Sequence, residues 1–237
     1  MIRIAAIIPA YNEEKSIAKV VRSIRKIQSS KFVIDAIVVN DSSNDNTSEI
    51  IHALPCIPLD LPINLGIGGA VQTGFIYAYE NNYDYAIQVD GDGQHPSDQI
   101  EKLFLVIHSQ FDVVIGSRFI ENEGFQSTKL RRLGIKYFML LNKVILNVKI
   151  TDCTSGFRMI NRKALKIVYD YYPDEYPEPE SIVLFSLNNL RMVEVPVVMK
   201  QRQGGVSSIN FVSSIYYMIK VTLAIFYTFI RIKFRRK

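Results

Sequence analysis

The sequence predicts an α/β protein: a mostly parallel sheet flanked by helices. Three observations carry this expectation. Short apolar, β-branched runs at 2–8, 32–39, 86–89 and 112–116 alternate with helical periodicity, the pattern of parallel strands joined by right-handed helical crossovers. Several of these runs end abruptly in polar or acidic residues, and open α/β sheets bind ligands beyond the carboxyl ends of their strands. A composition of 48% hydrophobic and 22% charged residues over 237 positions suits one large or two small globular domains, not a disordered chain.

Ile2 to Ile8 reads as a strand closed by Pro9. Ala10-Tyr11-Asn12-Glu13-Glu14 then leads into an amphipathic helix with Ile17, Val20, Val21, Ile24 and Ile27 on one face. Phe32 to Val39 is a second buried strand. It ends in Asn40-Asp41-Ser42-Ser43-Asn44-Asp45-Asn46-Thr47, which offers helix N-caps and an acid at a strand end. A weaker strand lies near Cys56 to Leu59. Asn64-Leu-Gly66-Ile-Gly68-Gly69-Ala70 opens a helix through about Tyr79. Its small residues either leave amide groups open to phosphate or permit close helix–strand packing. It is not the dinucleotide fingerprint, which needs a third glycine at another spacing and follows the first strand.

Ala86 to Val89 is the fourth strand, and it runs into Asp90-Gly-Asp92-Gly-Gln94-His95-Pro96. Two carboxylates one residue apart offer hard oxygen ligands to Mg²⁺ or Mn²⁺, which typically sits between carboxylates and substrate phosphates. A plain Asp/Gly turn after a strand accounts for the same residues. Ser97 to Ser109 reads as a helix and Asp112 to Gly116 as a fifth strand entering Ser117-Arg118. Lys129 to Asn147 reads as a helix with a basic start and an apolar body, suited to the core or to a membrane interface. Thr151 to Arg158 is expected as a polar loop, Tyr171 to Glu180 as an ordered surface loop, Ser181 to Leu190 as a short helix and Met192 to Met199 as a strand. Gln201 to Ser208 reads as a flexible link.

Of 28 Lys and Arg residues, five lie in the last seven positions, and the remaining 23 balance the 23 Asp and Glu. The basic character is therefore a tail property that points to an anionic surface. The neutral body offers no basic groove, so no nucleic-acid partner is expected. Cys56 and Cys153 are isolated, which fits a reducing compartment and neither a disulfide framework nor a zinc site. The first residues lack the apolar region and cleavage site of a signal peptide. Phe211 to Ile230 is twenty residues long with one charge, Lys220. Crossing the bilayer from a cytoplasmic body would place the cationic tail outside, against the positive-inside rule. An in-plane helix with its tail on anionic lipid is the expectation. A helix docked on a small integral membrane protein is the further alternative, and a homo-oligomer is left open.

These motifs, in this order over about residues 4 to 208, resemble the family 2 glycosyltransferases of the GT-A fold. They are most similar to the dolichol-phosphate-mannose-synthase-like group that places a sugar on a polyprenyl phosphate. Pro9-Ala-Tyr11-Asn12-Glu13 is similar to the opening nucleotide-binding motif, and Val39 to Asp45 to the Asp-Asp-Gly-Ser segment. Asn64 to Ala70 matches the Asn-x-Gly-x-Gly-x-Ala stretch, and Asp90 to Pro96 the metal motif with its Gln-His-Pro extension. Gly116-Ser117-Arg118 and Ser155-Gly156-Phe157-Arg158 fall in their expected places. Departures are Asn40 for the first Asp of the pair, Ser42 for its Gly, Ile67 where Lys is common and Ser208 where the phosphate-chain subgroup often has Lys.

The resemblance implies a GT-A domain at 1–208 and a membrane-associated C-terminal segment at 209–237. It implies that Pro9, Tyr11, Glu13, Asp41, Gly69, Asp90 and Arg202 hold the nucleotide sugar, with Asp41 reading the base. Asp90, Asp92 and Gln94 would carry the cation. Arg118, Arg131 and Arg132 would bind an acceptor phosphate, and guanidinium forks suit phosphate oxygens. Asp92, Arg118, Glu178 and Glu180 are the catalytic candidates, the two glutamates mattering mainly if the acceptor is a sugar hydroxyl that needs a base. The implied reaction is metal-dependent, inverting transfer from a nucleotide sugar, UDP-glucose or UDP-N-acetylglucosamine favoured, to polyprenyl phosphate at the cytoplasmic membrane face. Extension of a lipid-linked saccharide or wall polymer through a hydroxyl is the alternative, and a catalytically silent nucleotide-sugar binder is a third.

Overall fold

A computed structural model describes residues 1–121, 123, 129–199 and 211–235. Among them is a seven-stranded sheet of order β3-β2-β1-β4-β6-β5-β7. β1 (Ile2–Ala10), β2 (Phe32–Asn40), β3 (Ile57–Asp60) and β4 (Tyr85–Gln88) are parallel neighbours in the order β3-β2-β1-β4. β5 (Val113–Ser117) pairs in parallel with β7 (Met192–Pro196). Between the two sets lies β6 (Arg158–Asn161), antiparallel to both β4 and β5.

The strands are apolar on both sides because helices cover both faces. Along β1 the side chains alternate. Ile4, Ala6 and Ile8 join one core with Ile17, Val20 and Ile24 of α1 (Ile17–Arg25) and Leu103, Phe104 and Ile107 of α4 (Ile100–Gln110). Ile51 of α2 (Thr47–His52) lies in the same core. Ala5 and Ile7 face the other core, formed with α3 (Gly66–Glu80), α5 (Lys129–Leu146), α6 (Arg162–Asp170), α7 (Pro177–Leu187) and α8 (Phe211–Arg235).

Two elements differ from the sequence reading. Thr151 to Arg158 was expected as a polar loop, with no element assigned from 159 to 170; Arg158 instead opens β6, and α6 follows. Asn161 caps α6, accepting from the Ala164 amide at 3.0 Å, and Ala164, Leu165 and Val168 turn inward. Tyr171 to Glu180 was expected as a surface loop and Ser181 as the helix start. Instead α7 begins at Pro177, and Pro177, Pro179 and Glu180 are buried. Proline at a first helical position lacks an N–H that would have no intrahelical partner there, so Pro-Glu-Pro-Glu starts a helix instead of breaking one.

α5 packs one side into the core and leaves apolar residues exposed on the other. Ile135 and Phe138 are buried, while Leu133, Leu140 and Val144 are exposed. α8 buries Val221, Ile225 and Thr228 and exposes Ile219, Leu223, Phe226, Ile230 and Phe234 on its other side. Among the described residues no helix is long and apolar enough to cross a membrane.

Candidate active site

The register of the parallel strands sets the site. Ala10 of β1 lies beside Asn40 of β2, Asn40 beside Asp60 of β3, and Ile7 beside Gln88 of β4. The loops after β1, β2 and β4 therefore emerge together at one edge of the sheet. They enclose a cleft of about 480 Å³ lined by Pro9, Tyr11, Glu13, Asp41, Asp90 and Asp92, together with Asn64, Gly66 and Ile67 at the start of α3 and Glu178 at the start of α7. Seven of the residues expected to act in the sequence reading meet here: Pro9, Tyr11, Glu13, Asp41, Asp90, Asp92 and Glu178.

Hydrogen bonds stitch the first two loops together. The Asn12 amide donates to Ser43 Oγ at 3.0 Å, the Asn44 amide to Asn12 Oδ1 at 2.8 Å and the Glu13 amide to Thr47 Oγ1 at 2.8 Å. Ser42 adopts φ +59°. Glycine takes that conformation freely, so serine keeps the turn at a cost of about 1–2 kcal/mol. Asn40 Nδ2 donates to Asp60 Oδ1 at 2.7 Å. A carboxylate at position 40 would meet the Asp60 carboxylate there, which gives the departure at Asn40 a physical reason.

Asp41 is 4% exposed and reaches across the cleft to α3. Its Oδ1 accepts from the Leu65 amide at 2.7 Å and its Oδ2 from the Gly66 amide at 2.9 Å. A carboxylate thus already occupies the positive end of α3. Small residues in this run make room for close packing. A Cβ on Gly68 would lie 1.9 Å from the Asp174 carbonyl oxygen. Gly69 does not line the cleft; a Cβ there would meet Leu65 Cβ at 2.6 Å.

Asp90 and Asp92 are held differently. Asp92 is 6% exposed, and its Oδ1 accepts from the Gln94 amide at 3.0 Å. The Asp90 side chain is 35% exposed. Its Oδ1 accepts from Gln88 Nε2 at 3.3 Å, and His95 Nε2 lies 3.4 Å from its Oδ2. Gly156 permits this arrangement, because a Cβ there would lie 2.6 Å from Gln88 Nε2 and 3.3 Å from Asp90 Oδ1. Gln94 is half-buried beside these carboxylates in sequence but does not line the cleft.

Glu178 sits between the cleft and the interior. Burial pushes its carboxyl above the ordinary range, Asp90 adds to the rise, and the Arg158 guanidinium opposes it. Arg158 is 3% exposed and fixes the start of α7. It donates to the Glu178 carbonyl at 2.7 Å, Ser181 Oγ at 2.6 Å, the Ser155 carbonyl at 2.7 Å and the Cys153 carbonyl at 2.8 Å. Glu180, two residues on, points away from the cleft to α8, where its Oε2 accepts from Thr228 Oγ1 at 3.1 Å.

Arg118 is 7% exposed and forks onto the fully buried Asp152, Nε to Oδ2 and Nη2 to Oδ1, both at 2.7 Å. Glu194 of β7 fixes that partner, accepting from the Asp152 and Thr151 amides at 2.7 Å each. Arg118 does not line the cleft, but the Asp90 carboxylate is close enough to raise its pKa, after the larger effects of burial and Asp152. Arg132 is half-buried on α5. The Arg131 side chain and Arg202 lie outside the described residues, as does the expected link at 201–208. Sequence reasoning gave no site role to Arg158, Asp152, Glu194 or His95. The run 151–158 and the Gln-His-Pro extension carried a local signal for three of them, and Glu194, inside β7, had none.

Among the described residues no three His, Cys, Asp or Glu side chains group to hold a metal ion. Asp90 and Asp92 form an oxygen-only pair at the cleft. That donor set fits Mg²⁺ or Mn²⁺, hard cations that keep other positions for water and phosphate oxygens.

Fold and cleft together define a GT-A-type transferase, a parallel-sheet domain with an Asp-x-Asp at the carboxyl end of a central strand. The glycosyl transferase family 2 profile matches residues 5–168. The chain belongs to this family and is a glycosyltransferase. It is 31% identical over 215 residues to UDP-N-acetylglucosamine–dolichyl-phosphate N-acetylglucosaminyltransferase of Methanococcus voltae, covering 81% of this chain and 83% of that one. It is 28% identical over 222 residues to undecaprenyl-phosphate mannosyltransferase of Micrococcus luteus, covering 88% of each. Among solved structures, glucosyl-3-phosphoglycerate synthase of Mycobacterium tuberculosis, with Mn²⁺, UDP-glucose and phosphoglyceric acid, aligns with a TM-score of 0.70 at 16% identity. That alignment covers 95% of this chain and 79% of that one, and it establishes the shared fold.

Proposed function

We propose that this protein moves one sugar from a nucleotide donor to the phosphate of a polyprenyl phosphate at the cytoplasmic membrane face. The observation that carries the reading is the single cleft that joins the loops after β1 and β2 to the Asp90–Asp92 pair. The dolichyl- and undecaprenyl-phosphate transferases it resembles along most of their length support the acceptor. UDP-glucose or UDP-N-acetylglucosamine is the favoured donor.

Pro9, Tyr11, Glu13 and Asp41 would flank the nucleoside. Asp41, committed at both oxygens to α3, keeps lone pairs that a base N–H can use, and it holds the α3 side of the cleft in place. Asp90 and Asp92 would hold Mg²⁺ or Mn²⁺, which when bound neutralises charge on the departing nucleoside diphosphate. Arg202 would close on the same diphosphate. A phosphate oxygen of the acceptor attacks the anomeric carbon from the face opposite the leaving group. The bond from carbon to diphosphate oxygen breaks as the bond from carbon to acceptor oxygen forms, and the configuration inverts. The acceptor phosphate is already an anionic nucleophile, so no strong base is required. Arg118, oriented by Asp152, would bind that phosphate together with Arg131 and Arg132 of α5.

The exposed apolar side of α8, with Arg231 and Lys233 in the helix's last turns, would lie in the membrane interface and bring the cleft to its lipid. A second reading has one specific observation in its favour. Glu178 enters the cleft with a raised pKa, as a base for an acceptor hydroxyl would. The test is transfer from labelled nucleotide sugars into undecaprenyl phosphate with Mn²⁺. Label in organic-extractable lipid, absent with EDTA, supports the proposal. Metal-dependent donor binding without labelled lipid points to the hydroxyl acceptor.

A further inference from the structure

We propose that His95 is the positioning residue that aims the Asp90 carboxylate into the cleft. This inference rests on the cation role proposed above for Asp90. The imidazole meets Asp90 at two points. The Asp90 backbone N–H donates to His95 Nδ1 at 3.0 Å. That nitrogen must therefore offer a lone pair, which leaves the ring proton on Nε2. Nε2 lies 3.4 Å from Asp90 Oδ2, close enough for its N–H dipole to attract that oxygen without a hydrogen bond in this geometry. One ring thus anchors the Asp90 backbone and stands behind its side chain. Gln88 Nε2 donates to the other oxygen, Oδ1, at 3.3 Å. Both carboxylate oxygens keep lone pairs for the cleft.

The ring itself is held firmly. The His95 side chain is 3% exposed and its ring lies 4.9 Å from that of Phe157, tilted by 37°. Phe157 is fully buried and follows Gly156, the residue that makes room for Gln88 and Asp90. Two distant stretches, the loop after β4 and the entry to β6, are therefore built around one carboxylate. Asp90 is the more exposed of the Asp-x-Asp pair, so its side chain depends most on such a support. Groups behind a ligand that fix its orientation commonly matter for affinity almost as much as the ligand itself.

Two variants separate positioning from packing. His95→Asn keeps an acceptor where Nδ1 stands and removes the donor to the carboxylate. His95→Gln places an amide N–H where Nε2 stands and keeps that donor. Mn²⁺ binding in the presence of UDP is read by the loss of the free-ion electron paramagnetic resonance signal, with thermal melting in parallel. For His95→Asn the Mn²⁺ dissociation constant is expected to rise about 10–100-fold. For His95→Gln it is expected to stay within about threefold of the unsubstituted protein. With His95→Asn, transfer should recover toward the full rate at high Mn²⁺. Unchanged affinity in a folded His95→Asn protein, or equal weakening in both variants, would overturn the inference while leaving the cation site standing. His95→Gln decides alone if His95→Asn does not fold, because weakened affinity there would overturn it. Failure of the unsubstituted protein to bind Mn²⁺ would overturn both this inference and the cation role of Asp90.

Discussion

Replacing Glu180 by Gln should stabilise the protein at neutral and alkaline pH while sparing transfer. Glu180 is 6% exposed between α7 and α8. Burial is the main cause that pushes its pKa up to about 7 from an ordinary 4.5. The hydrogen bond from Thr228 opposes the rise, and Asp174 and Glu175 add to it. The folded protein thus holds this proton more tightly than the unfolded chain does. The contribution to stability is fully present below about pH 4.5 and is lost as pH rises through about 7. The gap corresponds to about 3 kcal/mol. Relaxation of the folded protein around an ionised carboxylate offsets part of it, leaving about 2 kcal/mol as the expected gain at pH 8.

Glutamine keeps an oxygen for Thr228 and carries no charge to bury. In a chain of this size the gain appears as a melting temperature higher by about 4–8 °C at pH 8. The free-energy gain falls to about a quarter of that value at pH 5. Differential scanning fluorimetry of both proteins across that range reads it directly. Because Glu180 faces α8 and not the cleft, kcat should change by less than about threefold. Equal melting at pH 8, or a gap that widens toward acid, would refute the electrostatic reasoning. A stabilised but inactive Glu180→Gln protein would restore Glu180 to the catalytic role that the family resemblance implies.

Two further outcomes follow from the cleft. Glu178→Gln should lower kcat with polyprenyl phosphate by less than about tenfold, whereas a hydroxyl acceptor would make the loss about 10²–10⁴-fold; steady-state rates with each acceptor decide. Asp92→Ala should fold normally, lose Mn²⁺ binding and lose transfer by about 10²-fold or more, the scale of removing a main electrostatic stabiliser. Near-normal turnover with a normal melting profile would remove the cation assignment.

The parts of the fold legible in the sequence are those with a local signature. β1, β2 and β4 are unbroken apolar runs that end in polar motifs, and the three loops that form the cleft are those three endings. β6 was hidden because it has four residues and opens on Arg158, a charged side chain buried by partners elsewhere in the chain. The start of α7 was hidden by two prolines that look like a loop and act as first-turn residues. The site's supports are long-range. Asp41 meets residues 24 and 25 positions away, and Arg118 meets Asp152 at a separation of 34. No local pattern announces such pairs, so a motif reading found the residues lining the cleft and missed those that hold them. It also could not separate Glu178 from Glu180. Two positions apart on a helix place side chains on different faces, and only the packing of α8 shows which of them is covered.

The most direct test of the account offers the protein two acceptors at once. Purified protein, Mn²⁺ and a labelled nucleotide sugar are incubated with equal amounts of undecaprenyl phosphate and a lipid-linked saccharide, and both products are resolved by mass spectrometry. The expected product is undecaprenyl phosphate carrying one added sugar through a mild-acid-labile phosphodiester. One nucleoside diphosphate is released per transfer, and both products are lost with EDTA. A lengthened saccharide with untouched undecaprenyl phosphate would contradict the account.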